Sequence, residues 1–233
     1  MRTQAVIASI IGGLLAASTA TFVALVWWQG WTLAVVMATV VCFTVAASYR
    51  FAIRPWHLRW GATDDEVGRP MPGDELLPDA DSVTRAISID ATADEVWPWL
   101  VQLGYGKAGW YSYDWIDNDG VPSADRVLTE HQNLAVGGRI LMMPTMGFGV
   151  REIVEPSHLV SVLEDGSTSW CLALHPDGDG VRLVSRWRPT VDRSLGGMAM
   201  LAVVEPGTFI MEQKMLRTIR QRVEAARTNE VMP

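Results

Sequence analysis

Residue types able to do chemistry are thinly spread along this chain of 233 residues. Asp114, Asp117, Asp119 and Gly120 have the rhythm of a calcium loop. Set on Gly120, the loop's frame puts Trp115 at the first ligand position and Arg126 at the last, so calcium chemistry is excluded. His131, His158 and His175 are the acid–base candidates. His158 follows Pro156-Ser157 and His175 precedes Pro176, which reads as solvent-exposed turns; His131, after Glu130 on a short helical piece, is left as a polar anchor. The hydroxyls of Tyr111 and Tyr113 are placed to polarise a carbonyl or orient a ligand's polar end. Arg186 has two readings: an outward-facing partner of Arg182 and Arg188, or a buried anchor for a carboxylate or phosphate headgroup. No zinc spacing, Gly-rich phosphate loop or nucleophile elbow occurs, so no metal and no cofactor are expected.

Recognition of something apolar is better supplied. Trp97, Trp99, Trp110, Tyr111, Tyr113 and Trp115 fall within 19 residues. They either line a pocket or fill the core, and Trp110, Tyr111 and Tyr113 are the pocket candidates because they lie in irregular chain. Met142, Met143, Met146 and Phe148 flank a turn; they suit a changeable apolar ligand or simply face the core. Trp170, Leu172 and Leu174 share one face of a strand, and Leu183, Ser185 and Trp187 one face of the next. If those faces are concave, Trp170, Leu172 and Trp187 join the predicted ligand set, with Met211 and Met215 from the element opposite.

The elements that position these residues follow from periodicity. Val83 to Asp90 alternates as a strand, and Thr92 with Glu95 is a capping-box signature that opens a helix. Residues 104–137 read as irregular chain with helical pieces near 113–117 and 123–131. Strands are predicted near 139–144, 148–154, 159–164, 168–175 and 181–189, with turn signals between them, as in an antiparallel meander. Glu205-Pro206 suits a helix start, and Met211, Met215, Ile219, Val223 and Ala226 form one apolar stripe. Leu195 to Val204 is apolar with two glycines; it either extends that helix as core or meets a membrane at the mouth of a cavity. Residues 61–82, rich in Asp, Glu, Pro and Gly, read as an irregular linker wrapped on the domain surface.

The head of the chain has a different composition. Residues 1–60 hold four of the 19 basic residues and none of the 26 acidic ones. The net charge of −7 therefore divides into +4 in the head and −11 in the body. An acidic body argues against nucleic acid as a partner. Thr3 to Tyr49 is 47 residues without Asp, Glu, Lys, Arg or His, and about 20 residues suffice to cross a bilayer. Two spans are expected, near 5–28 and 31–53, turning at Gln29-Gly30 among Trp27, Trp28 and Trp31. A cleaved signal peptide ending near Ala20 is the competing reading, opposed by the apolar run that continues to Trp28. Arg2, Arg50, Arg54 and Arg59 flank the spans, so the positive-inside rule puts both termini and the body in the cytoplasm, under the inner membrane. Cys42 and Cys171 lie in separate apolar segments, which excludes a disulfide and fits a reducing compartment.

Several stretches resemble the START/Bet v 1-like (SRPBCC) superfamily, and within it a membrane-anchored actinobacterial subgroup labelled polyketide-cyclase-like or lipid-transport-like. They are Arg59-Trp60-Gly61-Ala62-Thr63, Pro72-Gly73-Asp74-Glu75-Leu76, Val96-Trp97-Pro98-Trp99-Leu100-Val101-Gln102 and Gly109 to Trp115. Ser185-Arg186-Trp187-Arg188 and Glu205-Pro206 with Phe209-Ile210-Met211 complete the set. The resemblance covers roughly residues 59–226. It implies an α+β helix-grip fold, a curved antiparallel sheet wrapped on a long C-terminal helix, with a cavity for a hydrophobic ligand. It assigns no catalytic residue.

The expected organisation is therefore a hairpin anchor over 1–58, a juxtamembrane linker over 59–82, a helix-grip domain over 83–228 and a disordered tail over 229–233. Three functions remain open. One is a membrane-tethered module that binds a lipid or hydrophobic small molecule for transfer or sensing. Another is a cyclase or dehydratase on a polyketide-like or isoprenoid substrate, using Tyr111, Tyr113, His131 or Arg186. The last is a membrane adaptor without ligand.

Overall fold

The computed structural model describes residues 13, 16–24, 26–28 and 30–231. Most of the first predicted span before Ala16 lies outside them, as does the tail beyond Val231. The chain divides into two compact units, Met1–Trp56 and His57–Pro233.

In the first unit, helices α1 (Ala16–Trp28) and α2 (Trp31–Ser48) meet at Gly30, whose φ of 84° suits a residue without Cβ. The Phe22 and Trp31 rings pack edge-on at 5.7 Å across that turn. Apolar side chains cover α2 on all sides, and Val36, Val40, Phe43 and Val45 are exposed. Two of its threonine hydroxyls are folded back onto the helix: Thr39 donates to the Val35 carbonyl (2.9 Å) and Thr44 to that of Val40 (2.8 Å). A π-helical turn (Tyr49–Ile53) leads into α3 (Arg54–Leu58).

The second unit is the helix-grip arrangement. Strands β1 (Val83–Ile89), β2 (Arg139–Met143), β3 (Met146–Val154), β4 (His158–Leu163), β5 (Thr168–Asp177) and β6 (Gly180–Pro189) form one antiparallel sheet in the order β1-β6-β5-β4-β3-β2. Register puts Trp170 opposite Trp187, Leu172 opposite Ser185 and Leu174 opposite Leu183. These side chains share the concave face, where α5 (Ala93–Val101) and α7 (Leu195–Val231) cover the main core. The Thr92–Glu95 capping box opens α5 as expected, each side chain bonding the other's amide.

The convex face has its own core, built from Met71, Ala86, Val160, Cys171, Ala173 and Val184. Residues 59–82 lie over it and include a short helix, α4 (Asp64–Gly68), opened by a second capping box of Thr63 and Glu66. Close backbone approach fixes Gly61: a Cβ there would lie 2.1 Å from the Ala86 carbonyl oxygen.

Three expectations are corrected. First, the helical piece near 123–131 reduces to a single turn, Thr129–His131. Side chains take the amides a helix would use: Asp114 accepts from Ser123 N–H (3.0 Å) and Gln102 from Leu128 N–H (2.8 Å). Helix α6 (Asp114–Asp117) falls where a piece was expected near 113–117. Second, α7 starts ten residues before Glu205, because Ser194 receives the Gly197 amide (3.1 Å) and so caps the apolar segment; Pro206 is carried inside the helix. Residues 195–204 are not core, since Leu195 is 93%, Met200 64% and Val203 69% exposed. Third, the apolar stripe on α7, whose helix runs to Val231, differs from the expected one. Within its packed half the inward stripe is Glu212, Met215, Leu216, Ile219 and Val223, while Ala226 is exposed.

Candidate functional site: a half-open pocket under the C-terminal helix

A pocket of about 120 Å³ lies between the concave face and α7. Its apolar wall is Trp110, Met142 and Trp187 on one side and Met211 and Met215 on the other. Ser112, Asp117, Thr208 and Glu212 are its polar lining residues, and the pocket is partly open to solvent. Five of the predicted ligand residues therefore meet here.

Four rings form and back the aromatic part of this wall. Trp170 stacks on Trp187 (4.8 Å, 22°), Phe148 meets Trp187 edge-on (5.3 Å) and Trp110 lies 5.8 Å from Trp170. Phe148 and Trp170, predicted as lining, are fully buried and hold Trp187 in place. Leu172 is buried in the same core, away from the pocket. Aromatic filling of this kind explains the modest volume, because a cavity holding a whole drug-sized ligand spans several hundred Å³.

The remaining predicted residues lie elsewhere. Trp97 is buried in the core with α5. Tyr111 has φ 55° and is buried; its hydroxyl accepts from Gln102 (2.6 Å) and its ring lies under the Arg222 guanidinium (4.9 Å). Burial pushes its phenol up to about 12, which suits a fixed hydrogen-bonding role rather than proton transfer. Tyr113 precedes α6, half-buried beneath the Lys214 ammonium (5.1 Å). His131 sits half-buried on its 3₁₀ turn, outside the pocket.

Arg186 corrects the anchor reading. Register places it on the convex face, opposite Thr84 and Cys171. There it pairs with Asp74 (2.8 Å) and donates to the carbonyls of Glu66, Val67 (3.2 Å) and Arg69 (2.7 Å). Its guanidinium fastens the linker and does not reach the pocket.

Four further positions shape this region without belonging to the expected set. Arg85 and Glu212, 2% and 5% exposed, form an ion pair under α7. Ser185 donates to Glu212 and receives the Trp170 indole N–H (2.9 Å), while Arg85 also donates to the His57 carbonyl (2.9 Å). An arginine on the apolar face of a strand (Val83, Arg85, Ile87, Ile89) was the available signal for this pair. Gln102 is fully buried and ties the loop at 126–132 to α5 by bonds to Tyr111, Arg126 O, Leu128 N–H and Gln132.

The fourth is Asp117. Both its carboxylate oxygens are buried at the pocket wall without a hydrogen bond of ordinary geometry. Burial, reinforced by the neighbouring Asp114 charge, pushes its carboxyl up to about 6; the Ser112 hydroxyl and nearby amides pull weakly the other way. Its one local pattern, the calcium-loop rhythm, points to a different chemistry and does not mark it as a pocket group.

No protein-family profile matches the chain, and no curated protein sequence matches it. Solved structures do. A polyketide-cyclase-like protein of Corynebacterium glutamicum is 14% identical, with 67% of this chain and 99% of that one aligned and a TM-score of 0.41. An AHSA1-like protein of Aeromonas hydrophila is 19% identical over 63% and 94%, with a TM-score of 0.36. CalU16 of Micromonospora echinospora is 22% identical over 63% and 85%, with a TM-score of 0.32.

Proposed function

We propose that this protein is a membrane-tethered binding module that holds a hydrophobic small molecule, or one end of a lipid, between the sheet and α7. The observation that carries the reading is the pocket itself, an apolar recess walled by Trp110, Trp187 and three methionines and partly open to solvent. Burial of apolar ligand area supplies the affinity, at about 25 cal/mol per Å², and methionines adapt to the ligand's outline.

Tethering rests on the first unit. By length and composition Trp31–Leu58 is able to cross a bilayer. Its inward-bonded threonines suit a medium without water. Uniform apolarity around α2 fits lipid on every side. With the basic flanks on one side, the binding domain faces the cytoplasm from the inner membrane.

A cyclase or dehydratase is the second reading, and Asp117 favours it: a carboxyl near 6 in a partly dry pocket is suited to act as a base at neutral pH. Tyr111, Tyr113, His131 and Arg186, which that reading first relied on, do not line the pocket. Glu212 does, but Arg85 and Ser185 hold it.

Native mass spectrometry of the full chain, purified in detergent and incubated with lipid extract, tests the binding reading. A bound apolar species should appear with the parent protein and be lost from Thr208→Trp, which plugs the mouth from an exposed position, with Tm unchanged. Absence of any bound species from the parent overturns the reading.

A further inference from the structure

We propose that the pocket selects a neutral, hydroxyl-bearing apolar molecule, an alcohol or phenol, whose hydroxyl donates to Asp117 and accepts from the Trp187 indole N–H. This rests on reading the pocket as a ligand site and names the chemistry of what enters it.

Most of the polar atoms around the pocket are already engaged. Ser112 donates to the Met211 carbonyl (3.0 Å), Thr208 to that of Glu205 (3.0 Å), and Trp110 Nε1 to that of Leu141 (3.2 Å). Glu212 is held by Arg85 and Ser185. Two lining residues keep polar atoms that are not fully met: the Asp117 carboxylate, buried with no hydrogen bond of ordinary geometry and only weak help from Ser112 and nearby amides, and Trp187 Nε1, buried without a hydrogen bond among the described residues. Their needs are opposite, since an ionised carboxylate only accepts and an indole N–H only donates.

A ligand hydroxyl meets both needs, with a proton for Asp117 and a lone pair for Trp187. A hydrocarbon leaves both groups buried and unmet. An ammonium satisfies Asp117 but has no lone pair for the indole. Anionic ends are excluded by charge: Asp117 and Glu212 share the wall and Asp114 lies next to Asp117, while Arg85, the compensating cation, is committed to Glu212. The pocket thus disfavours the phosphate of an ordinary phospholipid headgroup. Size narrows the choice further. A closed cavity of about 150 Å³ takes up benzene, so this half-open pocket of about 120 Å³ holds at most one ring or a short chain, with the rest of a longer molecule left outside near the exposed Thr208.

Isothermal titration of the full chain in nanodiscs, with empty nanodiscs as the blank, tests this with three probes of one size: p-cresol, toluene and p-toluate. At about pH 8, above the Asp117 midpoint, p-cresol should bind about tenfold more tightly than toluene, and p-toluate should not bind. Trp187→Phe and Asp117→Leu should each bring the cresol-to-toluene ratio close to one while toluene still binds, which shows the pocket intact. Equal binding of p-cresol and toluene by the parent, or an unchanged ratio in both variants, overturns the proposal and leaves the pocket a ligand site. Failure of all three probes overturns the ligand-site reading as well.

Discussion

The two faces of the sheet bury their surfaces by different means. On the concave side, large apolar side chains from β5, β6 and two helices close over one another, and one buried ion pair completes the layer. On the convex side the cover is irregular chain around one five-residue helix, and both the irregular carbonyls and the last carbonyls of that helix lack backbone partners. Arginines of β6 meet that need. Arg182 donates to Gly61 O and pairs with Glu66, Arg186 reaches Glu66 O, Val67 O and Arg69 O, and Arg188 donates to Leu77 O and Pro78 O. A guanidinium offers five donors in a rigid fork. Three guanidinium groups, at positions 182, 186 and 188 on one face of β6, can fasten a segment that has little regular structure of its own. The comparison teaches that an arginine turned away from the main core need not be facing water.

Breaking each face in turn should separate the two mechanisms. The largest effect is expected on the concave side. Glu212→Ala leaves Arg85 buried without its counter-charge, at a cost of about 3–5 kcal/mol. A marked fall in the denaturation midpoint should accompany loss of the pocket, and Arg85→Met combined with Glu212→Leu should recover most of the stability. If the single variant melts like the parent, the pair does not support this face.

Next comes the convex side. Arg186→Ala removes the Asp74 pair and three linker carbonyl bonds, for about 2–3 kcal/mol. Limited proteolysis should then cut within residues 61–82 while the pocket keeps its ligand. Protection of the linker in this variant would mean that the apolar contacts of Met71, not the arginines, hold it.

The smallest effect is a pH dependence on the concave side. With its midpoint raised to about 6, Asp117 binds its proton more tightly folded than unfolded. Its contribution is therefore favourable at low pH and is lost as pH rises through roughly 4 to 6. Asp117→Asn should stabilise the protein by about 1–2 kcal/mol near pH 8 and by nothing near pH 4, allowing for partial solvent access. Equal stability of variant and parent at both pH values would mean that Asp117 is solvated.

Much of the sheet was legible because alternation is a local property. All six strands begin and end within two residues of their expected bounds, and the shared faces of β5 and β6 follow from the period of two. The helix after Thr92 was legible from its capping box; the matching Thr63–Glu66 box carried the same signal inside a stretch that composition marks as linker. What could not be read depends on long-range meeting. Arg85 and Glu212 are separated by 127 positions, and neither shows on its own that it will be buried. Asp117 acquires its character from Asp114 and the pocket wall, not from any motif. Pro206 read as a start because it usually is one, whereas Ser194 caps the helix further upstream.

The stack of Trp170 on Trp187 has an optical consequence. Two indoles 4.8 Å apart and 22° from parallel no longer absorb independently; their transitions couple and split the circular-dichroism band. Since Trp187 also walls the pocket, that contribution to the spectrum reports on the concave face, and a ligand pressed against it should shift the band without any label being attached.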